Sequence, residues 1–135
     1  MANGIYDKGR KKFLDADIDW SADTIKVVLV DAADYTVDLA THEFLSDVAA
    51  AARVATSGAL SGKDSTAGVA DAADVVLASV SGDQSEALII YKDTGAEGTS
   101  PLIAYIDTVT GLPVTPNGAD ITITWDNGAN KIFKL

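Results

Sequence analysis

Two stretches decide the fold class: Thr24-Ile-Lys-Val-Val-Leu-Val-Asp31 and Asp120-Ile-Thr-Ile-Thr-Trp-Asp126. In an extended chain successive side chains point to opposite faces, so Ile25, Val27 and Leu29 share one face. Thr24, Lys26, Val28 and Val30 share the other, which turns apolar toward its end. A strand apolar on both faces is central, or covered by a second layer. The later stretch alternates strictly, with Ile121, Ile123 and Trp125 on one face. Asp126-Asn127-Gly128 has turn chemistry, and Lys131-Ile-Phe-Lys-Leu135 alternates again, which predicts a C-terminal β-hairpin.

Between these anchors, strands are predicted at 53–57, 68–71, 74–80, 86–92 and 102–107, with Gly62, Gly82 and Gly95 as punctuation. Helical spacing is sparse. Ile5, Gly9 and Phe13 stand four apart and predict a helix over 4–14, with Asn3 as its N-cap. Gly9 costs about 1 kcal/mol inside a helix, so tertiary contact must hold this one. Phe44, Leu45 and Val48 predict a second short helix over 41–48 with Thr41 as cap. Leu112-Pro-Val-Thr-Pro-Asn117 reads as an extended arm, because each proline biases its predecessor away from helix. The expected architecture is one mainly-β domain over 1–135. It is an antiparallel β-sandwich or barrel with one or two short helices, an N-terminal helix and a C-terminal hairpin.

Composition excludes more than it assigns. The 135 residues contain no cysteine and one histidine, His42, which leaves no thiolate or His-rich metal site. The net charge of −10 predicts repulsion from nucleic acid and anionic membrane. No apolar run approaches the roughly 20 residues of a spanning helix, and the opening residues do not resemble a signal peptide. The charge is uneven: Lys8, Arg10, Lys11 and Lys12 make residues 1–12 basic, Lys131 and Lys134 do the same for 131–135, and the body is acidic. Basic ends either form a solvated face or dock on an acidic partner.

Candidate chemical sites fall short one by one. Asp15, Asp17, Asp19, Ser21 and Asp23 match the spacing of an EF-hand loop, but Trp20 stands where the glycine belongs and Lys26 where the bidentate glutamate belongs. His42 beside Glu43 has no nucleophile that sequence can place next to it, neither Ser46 nor Ser57. Gly58 to Ser65 misses the phosphate-loop spacing by one residue and carries Asp64 after its lysine. Arg53 reads as a structural ion-pair partner. Trp20, Trp125, Tyr35, Tyr91 and Tyr105 read as core or interface residues. No catalytic residue, metal or cofactor is predicted.

Several segments resemble a group of small proteins of tailed bacteriophages. They are Asn3-Gly-Ile-Tyr-Asp-Lys-Gly-Arg10 with Phe13-Leu14, Thr24–Asp31, Leu39-Ala-Thr-His-Glu-Phe-Leu-Ser-Asp47 and Arg53-Val-Ala-Thr-Ser57. Further matches are Ile90-Tyr-Lys-Asp-Thr-Gly95, Ser100-Pro-Leu-Ile-Ala-Tyr-Ile-Asp107, Gly111–Gly118 and Trp125–Leu135. The resemblance covers nearly the whole chain, least well at 49–52 and 64–84, and implies a virion structural protein with no catalytic residues. The expectation drawn from it is a capsid decoration, or cement, protein on the outer surface of the assembled head, bound to the major capsid protein or other virion subunits. A tail-tip, baseplate or fibre-attachment component is the alternative. A virion sugar-binding or hydrolytic domain using Trp20 or Trp125 is a further one. Expected partner contacts are Ile5, Tyr6, Lys8, Arg10, Lys11, Lys12 and Phe13, with Leu112, Pro113, Val114 and Pro116 of the arm. Surplus apolar strand surface at Val28, Val30, Leu88 and Ile90 predicts a homo-oligomer, trimer before dimer.

Overall fold

The structure, a computed structural model, describes residues 3–129 and 131–135. The chain runs β1 (Gly4–Ile5), α1 (Asp7–Leu14), β2 (Ile25–Val30), β3 (Arg53–Thr56), β4 (Val69–Ala70), β5 (Val75–Leu77), β6 (Ala87–Lys92), β7 (Leu102–Ile106), β8 (Ile121–Ile123) and β9 (Phe133–Lys134). Five strands form an antiparallel sheet in the order β1-β7-β6-β2-β3. Two further sheets have two strands each, β4 with β9 and β5 with β8. The fold is mainly β, and among the described residues the large sheet does not close into a barrel.

The two-sided patterning of β2 and β6 puts them side by side at the centre, with Val28 opposite Ile89 and Leu29 opposite Leu88. Each face has its own cover. On one, Val27, Leu29, Leu88 and Ile90 pack with Ile18, Trp20, Leu77, Ile123 and Trp125. Those covering residues come from the two small sheets and the loops beside them. On the other, Val28, Val30 and Ile89 pack with Tyr6, Tyr35, Leu45 and Val48, which come mostly from irregular chain. Val28, Val30, Leu88 and Ile90 are fully buried within one chain. The apolar surplus on which an oligomer was expected is therefore spent inside the protomer.

Three local expectations are corrected. The N-terminal helix starts at Asp7 rather than residue 4, because Gly4 and Ile5 pair with Tyr105 and Ala104 as an edge strand. Tyr6 takes the N-cap position. Asn3 instead ties the chain to the end of β7: its Oδ1 accepts from Asp107 N at 2.8 Å and its Nδ2 donates to Thr108 Oγ1 at 2.6 Å. The expected helix over 41–48 shrinks to a 3-10 turn at Leu45–Asp47. Leu45 N donates to Ser100 O and Leu102 N to Glu43 O, so the segment is drawn out beside β7. The expected C-terminal hairpin is absent from the described residues. β8 pairs with β5 and β9 with β4, and Trp125, two residues past β8, is buried, its Nε1 donating to Ala73 O at 3.1 Å.

The segment expected as an extended arm or loop is pinned to the fold. Val114 and Ser85 exchange both backbone hydrogen bonds, at 2.8 and 2.9 Å, and Gly118 N donates to Val80 O at 2.7 Å. Arg53 pairs with Glu97 at 2.7 Å, as its type and position suggested.

Ionisable groups set a pH window for this fold. Backbone N–H groups of Glu43 and Phe44 hold the Asp47 carboxyl below its usual 3.8, and a bond from Lys26 does the same for Asp93. A depressed carboxyl contributes stability above its unfolded value and loses it as pH falls through the folded one. Burial pushes the Tyr35 phenol up to about 12 and raises Tyr6 further, so their contribution is full below 10.0 and lost as pH rises past it. Denaturant midpoints measured against pH should show a plateau from about pH 5 to about pH 9 with a loss on each side. A slope through the middle of that range would contradict these assignments.

Candidate functional site: the face where the two ends meet

The helix α1 lies on β7 through Gly9, whose missing side chain permits the contact: a Cβ there would stand 2.5 Å from Leu102 O and 3.3 Å from Ile103 Cα. One turn on, Phe13 leans toward the other end of the chain. Its ring centroid is 6.3 Å from that of Phe133 in β9, and Trp20 meets Phe133 edge-on at 5.4 Å. The two ends, far apart in sequence, are thus stitched into one surface. Trp20 is fixed by its Nε1, which donates to Asp71 O at 3.2 Å. Leu135 N donates to Gly68 O, which holds the last residue along β4.

Between these elements lies an apolar groove of about 340 Å³, lined chiefly by Phe13, Ile18, Trp20, Phe133 and Leu135. Among the described residues Leu14, Val76 and Leu135 are the large apolar side chains left exposed: Leu135, in the groove lining, is 56% exposed, and Leu14, which follows Phe13 in α1, is 85% exposed. Leaving such side chains in water forgoes the gain that burying them would bring.

The structure separates the expected contact residues. Ile5 and Tyr6 are buried and offer no surface. Tyr6 Oη is 2.9 Å from Tyr35 Oη, which is 2.7 Å from His42 Nδ1, so all three serve internal packing. Lys8, Arg10 and Lys11 are exposed, and Lys12 and Phe13 are half-buried. Most of the basic charge meets acids of the same chain: Arg10 with Asp7 at 3.6 Å, Lys11 with Asp15, Lys12 with Glu43 at 3.2 Å and Lys131 with Asp71 at 3.0 Å. Lys12 also stands over the Phe44 ring at 5.2 Å. Leu112, Val114 and Pro116 are half-buried in the pinned arm and Pro113 is exposed. None of the four lines the groove.

Other candidates resolve into structure. Asp19 Oδ1 accepts from Ser21 N and Ala22 N, and Asp23 pairs with Lys92 at 3.0 Å, so the loop with EF-hand spacing is held by its own amides and a lysine. Ser57 Oγ accepts from Val27 N and donates to Gly58 O. Lys63 donates to Asp23 O rather than facing a phosphate loop. A polar cleft of about 570 Å³ lies along Thr108, Thr110, Thr124, Asn127 and Trp125. Trp125 is only 4% exposed and its Nε1 is spent on Ala73 O, so no indole face is presented for a sugar to stack on.

Sequence reasoning missed one cluster. Asp31, Asp34 and Asp83 bring carboxylate oxygens within 4.8 Å of one another. Asp31 is buried and accepts from Ala33 N at 2.8 Å, while Asp34 and Asp83 are exposed. No local motif could signal it, since Asp83 reaches the group only through the β2–β6 pairing. Among the described residues no helix is long and apolar enough to cross a membrane. No protein-family model and no curated protein matches the sequence.

Proposed function

We propose that this chain is a structural subunit of a tailed-phage particle, a decoration protein that binds the outer surface of the assembled head and stabilises it. The observation that carries the reading is the groove where α1 meets β9, with exposed Leu135 in its lining and exposed Leu14 following Phe13 in α1, on a fold that seals both faces of its large sheet. A protein that covers its own core and still leaves apolar side chains beside a groove has a surface built for another protein. The resemblance of nearly the whole sequence to small phage proteins supplies the setting. The mechanism is linkage: a subunit that binds only the assembled shell stabilises it by RT ln(1 + [L]/Kd) per site.

The test compares purified particles with and without the protein. Stripped heads should release DNA at a lower temperature, and adding back the purified protein should restore the original value. Equal stability removes the cement role. Recovery of the protein with isolated tails rather than heads assigns it to a tail component instead.

A further inference from the structure

We propose that the α1–β9 groove receives a segment of a partner chain in which a large apolar side chain is flanked by lysine or arginine. The inference rests on the reading of this face as a docking surface and names the chemistry of its occupant.

The apolar half follows from the lining. Phe13, Ile18, Trp20 and Phe133 present ring and aliphatic carbon, and the volume of about 340 Å³ lies in the range of clefts that hold a side chain or small ligand. The charged half follows from where the cations of this region are committed. Lys11 is held by Asp15, Lys12 by Glu43 and Lys131 by Asp71. On the loop that edges the groove, Asp17 and Asp19 are exposed and form no ion pair with a described residue. Asp19 itself lines the groove. The sequence taken alone suggests basic ends seeking an acidic partner. In the folded chain Arg10, Lys11, Lys12 and Lys131 meet acids of the same chain, strand alternation puts Lys134 on the face of β9 opposite to Phe133 and Leu135, and Asp17 and Asp19 make the rim acidic. A second copy of the chain is a poor occupant, because each copy carries a net charge of −10 and repels the other.

The experiment uses the full chain and two synthetic peptides with the same central Phe-Leu pair, one flanked by lysines and the other by glutamates. Backbone amide NMR shifts report where each binds. The lysine peptide should move the amides of Ala16, Ile18, Gly68 and Leu135 and bind about tenfold tighter than the glutamate peptide at low salt. Asp17→Lys should erase most of that preference, and Leu135→Ser should weaken both peptides. Both side chains are exposed, so neither variant should unfold the protein. Equal binding of the two peptides, no binding, or shifts clustered elsewhere would overturn the inference. So would concentration-dependent broadening of the same four amides without peptide, which would make a second copy the occupant. Particle content separates this from the decoration reading: if the peptides fail but the protein still sits on heads, only the inference falls.

Discussion

Ile89→Ala and Ile90→Ala should each lower the unfolding free energy by about 2–5 kcal/mol, the range for deleting most of a fully buried aliphatic side chain. The two residues are neighbours on β6 and point to opposite faces. Ile90 packs in the cluster with Trp20, Leu77 and Trp125, and Ile89 in the cluster with Tyr6, Tyr35 and Leu45. Both are 0% exposed in the isolated chain. Denaturant midpoints at two protein concentrations tell a self-sufficient fold from one that needs a second copy. Comparable losses, independent of concentration, are expected. A mild effect at Ile89 that grows on dilution would mean that the face under Tyr6 and Tyr35 is closed by another subunit.

Gly9→Ala should also destabilise, which runs against the usual rule for helices. At a solvent-facing position alanine improves on glycine by about 1 kcal/mol. Here the added methyl meets the backbone of β7, 2.5 Å from Leu102 O, and that strand is paired on both sides and has no room to retreat. Overpacking of this kind costs about 1–3 kcal/mol, and contact with unyielding backbone favours the upper part of that range. A net loss of about 1–2 kcal/mol is therefore expected for alanine, and a larger one for Gly9→Val. Because α1 carries Phe13 to Phe133, the groove should open at the same time, seen as faster proteolysis after Lys11 and Lys12. A thermal melt showing Gly9→Ala more stable than the parent would mean that α1 stands off the sheet.

The parts of this fold that sequence made legible are those where a period of two is long and apolar. The stretch Thr24–Asp31 predicts a covered strand, and β2 is one, buried on both faces. The stretch 86–92 behaves in the same way as β6. Pairing was harder to read. Asp126-Asn127-Gly128 has turn residues, and Asp126 Oδ1 does accept from Gly128 N, yet the strands on its two sides join different sheets. A turn signal reports a local bend, whereas the partner of a short strand is decided by distant segments such as β4 and β5. The failed helix at 41–48 has the same cause: i, i+1, i+4 spacing over a few residues is weak against the hydrogen bonds that Ser100 and Leu102 offer. Of the expected contact residues, Lys8, Arg10 and Lys11 are exposed and Phe13 is half-buried, whereas Ile5 and Tyr6 are buried. Their apolar and aromatic character is equally suited to an interface and to a core, and only the pairing of β1 with β7 decides between them. That both ends form one face was visible in no local pattern, since the contact between Phe13 and Phe133 joins segments 120 residues apart.

The central claim is that the α1–β9 face docks this protein on an assembled shell. An image reconstruction of intact particles, at a resolution that shows the path of β-sheets, tests it most directly. The account predicts density for this fold at every equivalent position on the outside of the head, with Phe13, Leu14 and Leu135 turned toward the capsid subunit beneath. Density with that face pointing to solvent, density confined to the tail, or no density at all would contradict it.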